Sequence, residues 1–475
     1  MSIKKYLSLL LAVAFMGIVS CDVLDIEPEQ SVSDDIIFDD VSGARGAVTG
    51  MYGAVRFGNA YGGFPLMAAD FRADNSEHIG SFTTWEQARR YNIAVTNSTV
   101  EGVWNSNYTA INRANHVIEF VADVEDVSED LAENWVGQGY FVRAISHFNL
   151  VRWFGQPYGF TGDNSHLGVP IITEPTTDPF DHEVPRSTVS EVYDQIIRDL
   201  ENAMQRVPEE HGSASDTRGR ATQGSVRGFL ARVYLHMGEY DLAAEYANDV
   251  IQSDLYSLQP NFDFFDTKNT SEDVFAIQMT TEDNPGVNAA MAALHMPTPI
   301  GRGDINPTDD LLNAYEEGDL RKSELLFDSE IGDGGTTWSS KYTLEDNSDN
   351  VHVMRIAEMK LTRAEALTES NQDIEPEAVE LLNDVRTRAG LDEFEEGDFA
   401  DHEELIDAIL HERRVELAFE GHRKWDLLRK GRDITNIPSG QVESVPYGDN
   451  DLIFPIPQRE MDVNEELVQN DGYGS

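Results

Sequence analysis

Several kinds of residue are scarce in this 475-residue chain, and each scarcity excludes a class of protein or site. With one cysteine, Cys21, the chain can form neither an intramolecular disulfide nor a cysteine-based zinc site. Lysine and arginine number 35 against 86 acidic residues, so the net charge is -51. Nucleic acid is excluded as a partner, because binding phosphates requires a basic face. Beyond residue 20, no apolar run is long enough for a membrane-spanning helix.

The acidic excess is spread along the chain, and it leaves two interpretations open. Of the 35 basic residues 8 are lysine, so 27 are arginine. An acidic surface with little lysine suits a protein in concentrated salt, where repulsion between like charges is screened. An ordinary acidic secreted protein would have the same composition. In either case the hydrophobic fraction of 40% provides a sizeable core, so disorder of the whole chain is excluded.

Residues 1–20 have the pattern of a secretory signal peptide. A pair of lysines precedes a 14-residue apolar run, which is too short to span a membrane. Cys21 follows a small residue at the end of this run, an arrangement that resembles a bacterial lipoprotein cleavage site. We therefore predict that Cys21 becomes a lipidated N-terminus and that residues 21–40 form a tether.

Apolar residues recur at helical spacing through much of the remaining chain. The predicted helical segments are 41–57, 104–121, 134–154, 187–207, 220–251 and 355–388. Thr188 and Glu191 form a capping box at the start of one helix. Gly238 suits a turn between two closely packed helices, and its surroundings match the tetratricopeptide pattern. We predict a mainly α fold, a tetratricopeptide-like stack of helical hairpins with long irregular loops and a few short strands.

Glycine, proline, asparagine and aromatic residues are concentrated in segments without helical spacing. These segments are 58–82, 155–185, 259–302, 328–350 and 434–457, with a short strand predicted at 274–279. Long loops on a rigid scaffold commonly carry binding sites. We predict a single globular unit over 21–475. Its parts are the tether, a helical scaffold with ligand loops (about 41–258), an irregular region (about 259–350), further helices (about 351–430) and an irregular C-terminal segment (431–475).

Motifs for catalysis and cofactor binding are not found in the sequence. It has no nucleophile elbow, phosphate-binding loop or paired-histidine zinc motif, and 86 acidic residues are too many to single out a glycosidase pair. Aspartate-rich turns at 346–350 and 449–451 could ligate calcium through oxygen atoms, although solvated turns are the simpler interpretation. We predict no catalytic residue, metal or cofactor, and leave a structural calcium open.

The densest group of charged residues lies at 412–429. Its acids and bases stand at helical spacings, as in the pairs Glu420 with Arg423 and Asp426 with Lys430. An acid–base site and a partly buried, ion-paired helix would both have this pattern. We favour the ion-paired helix.

Aromatic side chains in the irregular segments are the strongest indication of a binding function. Sugars have apolar ring faces edged with hydroxyl groups, so carbohydrate sites combine aromatic platforms with polar side chains. Packing of each aromatic onto the core is the alternative, and Trp85 and Trp338 are expected to be the least core-like. The predicted ligand-binding residues are Trp85, Phe82, Arg72, Asn75, Tyr61 and Trp338.

Ordered blocks along the whole predicted mature chain resemble one known family. The blocks are 21–28, 139–155, 185–200, 307–321, 354–366, 383–390, 412–429, 454–457 and 469–473. Together they resemble the SusD/RagB proteins. The resemblance implies a fold of four tetratricopeptide-like hairpins with an irregular region that bears the ligand loops. It implies that the shared motifs are structural, and that an aromatic arc of starch-binding relatives lies where Phe82 and Trp85 fall.

The resemblance also implies a non-enzymatic function and a location at the outer membrane. A protein of this kind is anchored by its lipid, faces the exterior, captures an oligosaccharide or polysaccharide and delivers it to a SusC-like TonB-dependent transporter. Two alternatives stay open: a lipoprotein that captures peptides or proteins on the same scaffold, and a surface glycoside hydrolase. The acidic surface favours a neutral or mildly polar ligand, because it would repel an anionic polysaccharide in the absence of a basic pocket.

Overall fold

The structure is a computed structural model that describes residues 37–176, 183–329, 336–438 and 442–474. The predicted signal peptide and Cys21 lie outside the described residues, so the lipid anchor stays a prediction. None of the helices in the described part of the chain is long and apolar enough to cross a membrane.

Helices dominate the described chain. They are α1 (Val41–Val55), α2 (Phe64–Phe71), α3 (Thr83–Arg89), α4 (Ser98–Phe120), α5 (Glu129–Phe154), α6 (Val189–Met204), α7 (Ala214–Gly219), α8 (Gln223–Met237), α9 (Tyr240–Ile251), α10 (Met291–His295), α11 (Asp309–Ala314), α12 (Leu320–Glu324), α13 (Ile356–Asn371), α14 (Pro376–Arg388), α15 (His402–Glu416), α16 (Arg423–Arg429) and α17 (Gln458–Val463).

Within the described ranges, short strands form four antiparallel pairs. The strands are β1 (Ser76–His78), β2 (Asp273–Ile277), β3 (Ile305–Pro307), β4 (Leu326–Ser329), β5 (Thr336–Ser339), β6 (Val351–Arg355), β7 (Ile434–Thr435) and β8 (Ser444–Val445). β1 pairs with β3, β2 with β6, β4 with β5, and β7 with β8. β2 corresponds to the strand predicted at 274–279.

Helices packed in series form the scaffold. α4 packs against α5 and α5 against α6, and in the second half of the stack α8, α9, α13 and α14 pack each against the next. α4 begins at Ser98, earlier than predicted, because the Asn97 side chain accepts hydrogen bonds from the backbone N–H groups of Thr99 and Val100. The predicted mainly α fold with hairpin stacking is confirmed.

Two local predictions are confirmed at helix ends. The Thr188 hydroxyl accepts from the Glu191 N–H at 3.2 Å, and the Glu191 carboxylate accepts from the Thr188 N–H at 2.8 Å. Gly238 ends α8 with φ of 76°, in the left-handed region that favours glycine, and α9 begins two residues later. These local interactions fix where two of the scaffold helices begin and end.

The prediction of irregular structure throughout 58–82 is wrong for its central part. All eight residues of α2 are buried, and Pro65 occupies its first turn. A helix that is buried on every side has no exposed polar face to alternate with an apolar one, so the helical period is hidden in its sequence. α2 carries the chain from the scaffold into the β1 region.

The charged segment at 412–429 is a buried ion-paired structure, as favoured. Arg355 has no exposed side-chain surface; it pairs with Glu416 at 2.9 Å and with Glu420 at 2.7 Å. Glu412 pairs with Arg321, whose side chain is also buried. These contacts hold α15 against the β2–β6 pair and against the segment around α12.

The individual pairs expected within this segment are wrong. Glu420 bonds Arg355 and Lys341, and not Arg423. Asp426 bonds Arg413 at 3.2 Å and Arg429 at 2.8 Å, and not Lys430. Glu420 and Arg423 do not share a helix, because α15 ends at Glu416 and α16 begins at Arg423. Asp426 does lie in α16, but its helical partner is Arg429, and Lys430 bonds Glu369 instead.

Candidate functional site

The pairing of β1 with β3 brings two distant loops side by side. His78 lies opposite Ile305, and the next N–H, of Ile79, donates to the Asp304 carbonyl at 2.8 Å. A Cβ atom at Gly80 would lie 2.4 Å from the Asp304 side chain, so glycine is required for this approach. Residues 79–82 therefore lie beside the loop of residues 300–304.

Arg302 is the organising residue of that surface. Its Nε donates to Asp304 at 2.9 Å, and its Nη1 donates to the Asn288 side-chain oxygen at 2.8 Å. The guanidinium lies over the ring of Phe82, 4.3 Å from the ring centroid. The Asp304 side chain is 8% exposed and that of Arg302 31%, so a buried carboxylate positions a guanidinium that solvent can reach.

Apolar side chains extend this surface. Ile79 is 50% exposed and Ile300 is 40% exposed, in the same two loops, and Phe82 is half-buried. We define the ligand face as Phe82, Arg302, Asn288, Ile79 and Ile300. Arg302 joins an aromatic ring and a side-chain amide, and the two loops add exposed aliphatic side chains. This composition suits a small-molecule binding surface.

Of the six sequence-predicted ligand residues, Phe82 lies in the ligand face and Trp85 lies directly behind it. The Trp85 ring is 5.4 Å from the Phe82 ring and 4.9 Å from the ring of Phe64 in α2. Trp85 is 5% exposed, so the expectation that it would be among the least core-like aromatics is wrong. α3 turns this side chain inward against α2, where it supports Phe82 from below.

Trp338 is likewise a core residue, with 6% of its surface exposed. It lies in β5, and a Cβ atom at Gly303 would lie 2.7 Å from its ring. Gly303 has φ of 64°, so this glycine allows both the turn and the close contact. Trp338 therefore supports the loop that carries Arg302, and its expected surface position is corrected.

Tyr61 and Arg72 are placed in the interior of the protein. The Tyr61 hydroxyl donates to the Ile145 carbonyl of α5 at 2.8 Å. The Arg72 side chain donates to the backbone carbonyls of Ala88 at 2.7 Å and Asp451 at 2.6 Å, and is fully buried. Because their polar groups bond the protein interior, we assign both residues a structural role in place of the predicted ligand contact.

Asn75 is also buried, and it belongs to a polar cluster at the end of α2. Its side-chain N–H donates to Asp70 at 3.0 Å, and its side-chain oxygen accepts from Arg414 at 2.9 Å. The other oxygen of Asp70 accepts from the Gly421 N–H at 3.1 Å. Asn75 thus ties α2 to α15, and we assign it a structural role too.

Asp70 gives this cluster a pH dependence. Burial raises the pKa of Asp70 to about 7, against the opposing effects of Asn75, Gly421 and Lys341. The folded protein therefore holds a proton on Asp70 that the unfolded chain releases near pH 4, so the stabilising contribution of protonation is lost as pH rises from 4 to 7. Asp70→Asn should remove that contribution.

We expect the stability of the wild type, relative to Asp70→Asn, to decrease between pH 4 and pH 7 and to stay constant above pH 7. Denaturant unfolding of both proteins at pH 5, 6, 7 and 8 measures this difference, and effects of other carboxylates cancel because both proteins contain them. A difference that is the same at all four pH values would contradict the raised pKa.

The two aspartate-rich turns are occupied by local hydrogen bonds. Asp346 accepts from the Ser348 N–H at 3.1 Å, and Asp349 accepts from the Leu344 N–H at 2.9 Å. Asp449 accepts from the Asp451 N–H at 2.9 Å. Among the described residues, no group of three or more histidine, cysteine, aspartate or glutamate side chains is arranged to hold a metal ion.

Arg302, Asn288, Ile79 and Ile300 were not singled out from the sequence. A usable signal was the arginine between two glycines at 301–303, which places a long polar side chain on a flexible loop. The contact of Arg302 with Phe82 depends on the β1–β3 pairing, and single-sequence patterns do not determine which strands pair.

Comparisons with known proteins agree with the fold. A family model described as the SusD family matches residues 333–473, and one described as starch-binding, associating with outer membrane, matches residues 44–235. A SusD-like protein of Formosa agariphila is 25% identical, over 96% of this chain and 96% of its own length.

Solved structures of similar proteins superpose over nearly the whole chain. A SusD superfamily protein from Bacteroides thetaiotaomicron has a TM-score of 0.82 at 26% identity, covering 91% of this chain and 99% of the other. A structure described as a laminarin-binding SusD-like protein has a TM-score of 0.77 at 25% identity, covering 92% of this chain and all of the other.

Proposed function

Because the chain belongs to the SusD/RagB family, we propose that it is a non-catalytic glycan-binding protein whose ligand face is formed by Phe82, Arg302, Asn288, Ile79 and Ile300. The observation that carries this proposal is the Arg302 guanidinium fixed between Phe82, Asn288 and Asp304. A sugar can place an apolar ring face against the aromatic and aliphatic groups while its hydroxyls bond the amide and guanidinium.

Buried residues hold the side chains of the ligand face in place, so the face need not become more ordered when a ligand binds. Trp85 lies behind Phe82, Trp338 lies against Gly303, and Asp304 is anchored by its N–H to the Leu294 carbonyl at 2.8 Å. Side chains that are already ordered lose little conformational entropy on binding. That entropy loss is one of the main terms that oppose binding. The laminarin-binding and starch-binding relatives support a glycan as the ligand.

The wider role that we propose is capture of the glycan at the outer membrane and delivery to a SusC-like TonB-dependent transporter. Lipidation at Cys21, display at the cell exterior and the transporter partner belong to this proposal. The lipoprotein-like sequence around Cys21 and the match to a model described as associating with outer membrane support it.

A peptide ligand is the second candidate, and one observation favours it. Trp85, Trp338 and Tyr61 are buried, so Phe82 is the aromatic that remains in the ligand face, beside the exposed aliphatic side chains of Ile79 and Ile300. Aliphatic surface suits apolar peptide side chains as well as sugar rings. Binding of a polysaccharide panel and of a peptide library by the purified protein distinguishes the two, and product analysis of the same mixtures tests for hydrolysis.

Phe82→Ala should weaken glycan binding. Loss of an aromatic platform costs about 0.5–1.5 kcal/mol, or roughly a 2- to 13-fold increase in Kd. Affinity electrophoresis and calorimetry with laminarin and starch measure the change. The matched control is Phe160→Ala, which removes a 40%-exposed phenylalanine from a surface beside Tyr447 and should leave Kd unchanged. Equal affinities of wild type and Phe82→Ala would remove Phe82 from the site.

A further inference from the structure

We infer that the ligand face selects an uncharged glycan and rejects sulfated or uronic-acid polymers. This inference rests on the proposed function and adds the chemical class of the ligand. It is drawn from the carboxylates that pair with Arg302 and with the nearby arginines Arg56, Arg89 and Arg90.

Arg302, the cation within the ligand face, is neutralised in place. The Asp304 carboxylate is nearly buried and lies 2.9 Å from Arg302 Nε. An anionic sugar would have to share this guanidinium with a carboxylate that cannot move away, because the Asp304 backbone is bonded to Leu294 and to Ile79. Two carboxylates that compete for one cation repel each other, so the arrangement opposes an acidic ligand.

The arginines that surround the face are matched in the same way. Arg56 pairs with Asp283 at 2.9 Å, on the loop that also carries Asn288. α3 begins immediately after Phe82. Its Arg89 pairs with Glu86 at 2.8 Å and with Glu77 at 3.5 Å. Arg90 also bonds Glu86. The cations are therefore paired before a ligand arrives.

The buried histidines near the face add no positive charge at neutral pH. Burial lowers the pKa of His78 to about 4 and that of His295 to about 4. His78 precedes Ile79, and His295 lies in α10, whose Leu294 carbonyl holds Asp304. At pH 7 both rings are neutral, so they cannot attract a sulfate or carboxylate.

The surroundings of the face reinforce this selection. The whole chain carries a net charge of -51, and Ile79 and Ile300 offer no partner for a charged group. Arg113 lies over the ring of Phe57, and its Nη1 donates to the Gly50 carbonyl at 2.7 Å. Screening reduces charge interactions beyond about 8 Å at physiological salt, so the local pairs decide the selectivity.

The test compares neutral and anionic polymers on the same purified protein at about 0.15 M salt. Laminarin and starch are the neutral probes, and carrageenan and alginate are the sulfated and uronic probes. We expect binding of a neutral probe and at least tenfold weaker binding of both anionic probes. Tighter binding of an anionic probe would overturn this inference and leave glycan binding standing, whereas no binding of any probe would overturn the proposed function.

Two variants test the cause of the selectivity. Asp304→Asn removes the carboxylate matched to Arg302, and we expect binding of the anionic probes to increase at least tenfold, with the increase lost at high salt. Asp283→Asn removes the carboxylate that pairs with Arg56, and we again expect binding of the anionic probes to increase. The Asp283 side chain is 65% exposed, so this variant should retain the fold. Unchanged anionic binding in both variants would show that these pairs do not exclude charged ligands.

Arg113→Gln serves as the matched control for these variants. Because the contacts of Arg113 are with Phe57 and Gly50, outside the defined face, the variant should leave the ranking of the four probes unchanged. Anionic binding by the wild type that disappears in Arg113→Gln would overturn the inference, since it would identify an unmatched cation that recruits charged glycans.

Discussion

Arg355→Met is expected to lower the free energy of unfolding by about 3–5 kcal/mol, because it leaves buried carboxylates without their partner. Arg355 has no exposed side-chain surface and bonds Glu272, Glu416 and Glu420 at 2.7–2.9 Å. Burial alone would lower the pKa of Arg355, but the carboxylates of Glu420 and Glu416 raise it well above its usual value. The guanidinium is thus required as a cation.

The consequence of removing it depends on what remains around the carboxylates. Glu416 keeps a bond to Arg388 at 2.6 Å, and Glu420 keeps a bond to Lys341 at 2.6 Å. These contacts hold part of the charge, but methionine donates no hydrogen bond, and the surrounding protein excludes water. Fewer cations then share the same buried carboxylates, so the loss should fall in the range for breaking a buried ion pair.

Denaturant unfolding of the wild type and of Arg355→Met measures the loss, and an exposed pair provides the control. Arg432 bonds Asp407 with side chains that are 43% and 66% exposed, so Arg432→Met should change the stability by less than about 1 kcal/mol. If the two variants were equally destabilised, the buried network would contribute no more than a surface ion pair.

Trp85→Ala is expected to lower the free energy of unfolding by about 3–5 kcal/mol, the range for truncating a large buried aromatic. The indole packs among four rings: those of Phe64, Phe71, His78 and Phe82, at centroid distances of 4.9–6.0 Å. Its removal opens a cavity between α2, α3 and β1. The hydrogen bonds within the two helices and between β1 and β3 limit how far the backbone can move to fill that cavity.

The same variant distinguishes a structural role from a ligand contact. Denaturant unfolding and laminarin binding are measured on Trp85→Ala and Phe82→Ala in parallel. Because Phe82 is half-buried, its truncation should cost about 1 kcal/mol of stability and act mainly on Kd. A Trp85→Ala protein that is as stable as the wild type but has lost binding would show that Trp85 contacts the ligand.

The sequence by itself determined the scaffold. Helical spacing, the Thr188–Glu191 capping box and the Gly238 turn are interactions within a few residues, so they can be read locally. It also indicated the family, through ordered blocks spread over the whole chain, and the buried ion-paired nature of residues 412–429. The fully buried α2 was missed because a helix buried on every side has no exposed polar face to show its period.

Only the tertiary structure decided which charged residues pair with each other, and which aromatic residues stay at the surface. Glu420 pairs with Arg355, which lies 65 residues earlier in the sequence. Arg302 contacts Phe82 because β1 pairs with β3. Tryptophans in loops were expected at the surface, yet the large apolar area of Trp85 and Trp338 is more stable in the core. Residue type and spacing describe local chemistry, whereas burial and partner choice depend on the packing of segments that are distant in the sequence.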